Sequence, residues 1–211
     1  MNKRLERALI AAVVAGAMIA GGHAKAGDRL AMLTVGEDNM SVGRVTSAPI
    51  GYIQFCAQNP ADCGAGPGKS GKVALTSANL AQLDEVNRSV NRRIQPMTDL
   101  EHFGEIERWS YPDDGFGDCE DYVLLKRRTL IGLGWPADTL LITVVRDQRG
   151  DGHSVLTVVT DHGDVVLDNQ EDDILAWHET GYRYVKRQSQ SNLNVWVSLG
   201  DVRAPATVGR N

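Results

Sequence analysis

Between residues 76 and 199 the spacing of apolar residues changes once, from a helical period to runs of the β type, and this restricts the fold more than composition does. Leu80, Leu83, Val86, Val90 and Ile94 recur at steps of 3, 3, 4 and 4, with Thr76 or Ser77 as cap and Pro96 as stop. The spacing predicts one amphipathic helix over 77–95, with Asn87, Arg88, Asn91 and Arg92 mostly on its wet side. Residues 96–118 read as an irregular approach to a second helix over 119–131, which Gly132, Gly134 and Pro136 end. Beyond it, 140–145, 154–160 and 165–167 read as strands, the last two joined by a hairpin turn at Asp161-His162-Gly163-Asp164. A closing pair follows at 182–188 and 195–199. Helices first and antiparallel strands second make the class α+β, with neither an internal repeat nor a second domain.

The N-terminus is of a different kind. Residues 1–7 are basic, 8–20 are apolar and small, and Ala24-Lys25-Ala26 offers small residues at a cleavage site. This is the pattern of a secretory signal peptide over 1–26, since an apolar run of about 13 residues is too short to span a bilayer. The expected organisation is therefore signal 1–26, a domain over 27–200 and a tail over 201–211. The whole chain carries 22 basic and 27 acidic residues. Loss of the signal leaves 18 against 26, a net charge of −8. An acidic, exported chain without a basic stripe excludes nucleic acid as an expected partner. No run of 18 apolar residues lies outside the extreme N-terminus, which excludes several membrane spans.

Export also gives the three cysteines a meaning. Cys56 and Cys63 stand seven apart in a turn-rich segment, which suits a disulfide in an oxidising compartment and leaves Cys119 alone. Residues 27–72 are otherwise rich in Gly, Ser and Pro, with a short apolar stretch at 49–55. The stretch 65–72 lacks the spacing of a phosphate loop and reads as a surface loop. Cys119 falls where a Gly-containing loop enters a helix, so the helix dipole and free backbone N–H groups favour its thiolate and a developing oxyanion. His153 opens a predicted strand and Asp168 ends the next strand of the same hairpin, which sets them side by side. A Cys on a helix with His and Asp on adjacent strands is the arrangement of an activated cysteine nucleophile; the plain alternative is a buried, inert Cys and a solvated Asp. His23 leaves with the signal, His162 sits in a turn, and His102 and His178 have no strand context.

Asp118, Glu120 and Asp121 flank the nucleophile and would raise rather than lower a thiol pKa. Either a hard cation held by their oxygens neutralises them, or they are ordinary acids favoured by the helix N-terminus. Asp147-Gln148-Arg149-Gly150-Asp151-Gly152 lacks the later ligands of a calcium loop and reads as a turn.

Gly117-Asp118-Cys119-Glu120-Asp121-Tyr122, Lys126-Arg127, Val144-Val145-Arg146-Asp147, Gly152-His153-Ser154-Val155-Leu156 and Val166-Leu167-Asp168-Asn169 occur in this order. With Gly181-Tyr182-Arg183-Tyr184-Val185-Lys186-Arg187-Gln188-Ser189 and Trp196-Val197-Ser198-Leu199, they resemble the bacterial transglutaminase-like cysteine peptidases, which include the LapG-type periplasmic proteases. The resemblance runs over about 45–200. It implies a papain/transglutaminase-like fold with Cys119, His153 and Asp168 as nucleophile, base and orienting acid. It further implies calcium dependence, with ligands from Asp118, Glu120 and Asp121 and one residue after the helix, for which Asp138 is the best candidate. In LapG-type relatives the substrate is a large surface adhesin and an inner-membrane receptor sequesters the enzyme, which implies a periplasmic, biofilm-related role. Transamidation by the same triad, and a catalytically silent calcium-stabilised binding module, are the competing readings.

Overall fold

The computed structural model describes residues 39–64 and 71–200, together with Leu33. The predicted signal peptide, the predicted tail and residues 65–70 of the glycine-rich loop lie outside the described residues. β1 (Val45–Thr46) leads to α1 (Ile50–Gln58) and a 3-10 turn at Pro60–Asp62, and α2 follows over Ser77–Arg93. β2 (Gln95–Pro96), α3 (Asp99–Phe103) and β3 (Phe116–Gly117) then lead into α4 (Cys119–Gly132). After a 3-10 turn at Ala137–Thr139 come β4 (Leu140–Arg146), β5 (Gly152–Thr160), β6 (Gly163–Leu167) and β7 (Leu175–Ala176). A last 3-10 turn at Trp177–Glu179 precedes β8 (Arg183–Ser189) and β9 (Asn192–Ser198). Seven strands form one antiparallel sheet in the order β1-β9-β8-β4-β5-β6-β7. The α+β class is thus the one the change of period predicts. Among the described residues no helix is long and apolar enough to cross a membrane.

α2 begins where the sequence places it, with the Thr76 side chain accepting from the Asn79 backbone N–H. Leu80, Leu83, Val86 and Val90 pack with Leu130 of α4 and with Ile142, Val144, Leu156 and Val158 of the sheet. A smaller cluster of Val145, Val155, Val166 and Tyr184 covers the opposite face of the sheet. α4 lies at the centre of the main layer: every residue from Cys119 to Arg127 is buried, charged ones included. A helix so enclosed shows no wet face in its first half, which is why it carries no clean amphipathic stripe.

Three parts differ from the reading by period. The apolar stretch at 49–55 is helical, because Tyr52 and Phe55, three apart, both enter the core. The approach over 96–118 holds α3, closed by a reciprocal capping box between Thr98 and Glu101, and a short parallel pairing of β2 with β3. Asn87, expected on the wet side of α2, is fully buried. The Cys56–Cys63 disulfide is present, with its Cα atoms 5.5 Å apart, and ties α1 to the residue that follows the first 3-10 turn.

Candidate active site

The turn into α4 is fixed from both sides. The Gln95 and Met97 backbone N–H groups donate to the Gly115 and Gly117 carbonyls at 2.8 and 3.0 Å, so the end of α2 holds the loop in place. Position 117 admits only glycine without rearrangement, because a Cβ there would lie 2.8 Å from both Cβ and Oδ2 of Asp121. Asp118 occupies the N-cap, yet its side chain caps nothing; its carbonyl instead accepts from Asp121 and Tyr122 N–H. Tyr122 Oη donates to the Ile94 carbonyl at 2.7 Å and pins the first turn of α4 to the end of α2. Cys119 is then the first residue of α4, a free and buried thiol. Its thiol donates to Glu120 Oε2 at 3.1 Å, and α4 packs on β5, the strand that carries His153.

His153 and Asp168 meet as the hairpin predicts. His153 is the second residue of β5 and Asp168 directly follows β6. The imidazole Nε2 lies 2.8 Å from Asp168 Oδ1, with both side chains almost wholly buried. The carboxylate has two more donors: Gln170 N–H to Oδ1 at 3.0 Å and Tyr182 Oη–H to Oδ2 at 2.6 Å. The Tyr182 ring also meets the imidazole edge to face at 5.6 Å between centroids. Burial alone would raise the Asp168 pKa. The hydrogen bond and charge of His153, with Tyr182 and Gln170, outweigh it and hold the carboxyl below its ordinary value. An acid on Nε2 fixes the neutral tautomer with its proton there, so Nδ1 carries the lone pair a base requires. Asp168 and Tyr182 also border a cavity of about 450 Å³ with Asp147, Arg149, Glu171 and Glu179.

The acids around Cys119 have the opposite character. Asp99, Asp118 and Glu120 are all buried and each brings an oxygen within 4.8 Å of the others. Burial and the neighbouring Asp99 push Asp118 up to about 7, and burial with Asp118 pushes Asp121 up to about 9. Glu120 is driven well above the carboxylate range by burial, Asp118, Glu107 and Asp121. Asp118 Oδ1, Glu120 Oε1 and Asp121 Oδ2 have no hydrogen-bond partner among the described residues. The Cys119 thiol is pushed well up by burial, Glu120 and Asp118, against which the Ser154 N–H acts alone. The helix terminus therefore does not prevail here. A set of buried carboxylate oxygens lacking donors fits a hard, oxygen-seeking cation.

Asp121, expected as a ligand, is not one of the three whose oxygens converge; its Oδ1 accepts from Ser110 N–H at 2.8 Å. Asp138, the ligand expected from after the helix, lies elsewhere: it follows α4 at the other end of fourteen residues, about 20 Å of helix, and borders a different cavity with Arg187 and Ser189. The third carboxylate comes from Asp99 of α3, whose position just after a capping threonine gives it the look of an ordinary helix-start acid. Tyr182 and Gln170 were equally without a role in the sequence, since their hydrogen bonds to Asp168 are made only in the folded chain.

The family model for bacterial transglutaminase-like cysteine proteinases (BTLCP) matches residues 42–204. No curated protein matches the sequence. Among solved structures, LapG of Legionella pneumophila is 30% identical over 51% of this chain and 62% of its own, with a TM-score of 0.44. Its EGTA-treated form is 31% identical over 51% and 61%, with a TM-score of 0.45. The present chain thus spans less than two thirds of either. Calcium-bound LapG from the same organism aligns over 77% of this chain and 94% of its own at 22% identity, with a TM-score of 0.50, and shares the fold.

Proposed function

The chain belongs to the bacterial transglutaminase-like cysteine proteinase family, and on that premise we propose that it is an exported, calcium-dependent cysteine endopeptidase acting through Cys119, His153 and Asp168. The observation that carries this is the buried His153–Asp168 pair at 2.8 Å on a strand against which packs the helix that begins with the free, buried Cys119. Nδ1 of His153 accepts the thiol proton and the sulfur attacks a substrate carbonyl carbon. Backbone N–H groups at the start of α4 stabilise the oxygen that becomes negative. The imidazolium gives its proton to the departing amine and leaves a Cys119 thioester. Water, deprotonated by the same ring, then hydrolyses it. Asp168 keeps the ring oriented and stabilises its charged form.

Asp99, Asp118 and Glu120 would hold calcium, the ion bound in one solved form of LapG. Bound there, it supplies positive charge that cancels the carboxylates now holding the thiol protonated. The residues' own part is to converge three oxygens beside the nucleophile. Residues 27–200 form the working domain after removal of the signal, and the periplasm is its compartment, a reading the Cys56–Cys63 disulfide supports. The substrate is a protein, by resemblance a large surface adhesin whose cleavage bears on biofilm, with an inner-membrane receptor controlling access.

The test is to incubate the mature chain, with calcium, with a proteome-derived peptide library and read new N-termini by mass spectrometry. New termini absent with Cys119→Ala are expected. Amine adducts instead of free acids would make it a transamidase, and neither product would leave a silent binding module.

A further inference from the structure

Behind Asp168 the chain turns through residues 168–173 before β7, and this turn is held by side chains of α2. Asn91 Nδ2 of α2 donates to the Asp168 carbonyl at 2.9 Å and to Asp172 Oδ1 at 3.0 Å. Asn87 Nδ2, one helical turn earlier, donates to the Glu171 and Asp172 carbonyls, both at 3.0 Å. Arg88 pairs with Asp172 at 3.5 Å and with Asp173 from the solvent side. From α4 comes Lys126, seven residues after Cys119 and so on the same face of that helix. Lys126 is fully buried, and its Nζ has no hydrogen-bond partner among the described residues. The charges acting on it are those of Asp168 and Asp172; they oppose burial, which brings its pKa down to about 7. Asn87 Oδ1 and Asn91 Oδ1 are likewise buried and have no hydrogen-bond partner among the described residues.

A lysine in such a place is costly, and an apolar side chain of similar length would fill the same space at less expense in stability. Its retention calls for a task beyond packing, and the charge it faces is the one the imidazolium relies on. We propose that Asn91 and Lys126 are positioning residues for the triad acid: Asn91 fixes the Asp168 main chain, Lys126 supplies the buried counter-charge to its carboxylate, and Asn87 anchors the far end of the turn. The inference rests on Asp168 being the acid of the triad.

Asn91→Ala and Lys126→Met are made alone and on the Asp168→Asn background, using a fluorogenic peptide that carries the sequence most cleaved from the library. Each single change lowers kcat by about tenfold with KM within about twofold, and moves the His153 Nε2–H proton resonance in labelled protein. On the Asp168→Asn background neither costs more than about twofold, because residues acting through one group do not add. Lys126→Met fills the same space and leaves Asp168 its donors from His153, Gln170 and Tyr182, so the fold is kept and this variant carries the test should Asn91→Ala fail to fold. Equal losses on both backgrounds, or an unmoved Nε2–H resonance with unchanged kcat, would overturn the positioning role alone. An Asp168→Asn variant with full kcat would instead overturn the triad assignment beneath it.

Discussion

The buried carboxylate that holds the His153 imidazole and the buried carboxylates at the start of α4 have been given opposite surroundings. Asp168 receives three donors from His153, Gln170 and Tyr182 and stays ionised below its ordinary pKa. Asp99, Asp118 and Glu120 face one another and are pushed toward the protonated form, and Asp118 and Glu120 each keep an oxygen without a donor among the described residues. Burial is common to both, so burial is not what separates them. The chain completes the first group with its own hydrogen bonds, whereas the second, on the calcium reading proposed above, is completed by a cation, which would make one half of the site permanent and the other conditional.

The contrast can be broken most severely on the permanent side. His153→Ala should lower kcat/KM by about 10³-fold near neutral pH, and Asp168→Asn by about 10²-fold with a lower melting temperature, both read with a peptide from the library. On the conditional side the sign of the stability effect should reverse. A double Asp118→Asn, Glu120→Gln variant should lose activity as fully as chelation does, yet melt higher than the chelated parent, and added calcium should no longer raise its melting temperature. If that variant melts lower in chelator, the trio is not under charge repulsion.

The pH dependence sharpens the same point. Raised carboxyls keep protons in the folded chain that the unfolded chain releases, so their contribution is fully present below about pH 4, the unfolded carboxylate range. It is lost as pH rises through about 7 for Asp118 and about 9 for Asp121. Thermal melts in chelator should therefore fall steadily between pH 5 and pH 9 (about the range of those two groups), and calcium should flatten the curve. Asp168 acts in the other sense, its contribution being lost only as pH falls through its lowered value. A smaller effect is expected of Tyr182→Phe, which removes one of three donors and should cost about three- to tenfold in kcat. Least of all for activity, replacing Cys56 and Cys63 together by Ala should leave kcat unchanged while lowering stability by about 2.5 kcal/mol, the loop-closure value for so short a ring.

The start of α4, the sheet strands and the His153–Asp168 meeting were legible because each rests on local order: a glycine before a helix, alternating apolar runs, one tight hairpin. Asn87 and Asn91 were misread because a period argument assigns polar side chains to water, whereas these two turn inward to satisfy main-chain carbonyls of a distant turn. Asp99 and Asp138 show the same limit from the other side. Asp99 reaches Asp118 only because the pairing of β2 with β3 folds the intervening loop back on α2. Asp138 is nearer in sequence to the acidic segment's own helix, but a straight helix carries it away. Distance along the chain cannot rank such candidates.

The sheet ends at both sides in strands of two residues, β1 and β7. Among the described residues neither outermost strand is itself long enough to template an additional chain. Association between copies by edge pairing is thereby discouraged, and so is capture of an extended polypeptide as an eighth strand. The loops that follow β4 and β6 border the cavity beside Asp168, and substitutions in those loops can reshape it while the sheet itself stays as it is.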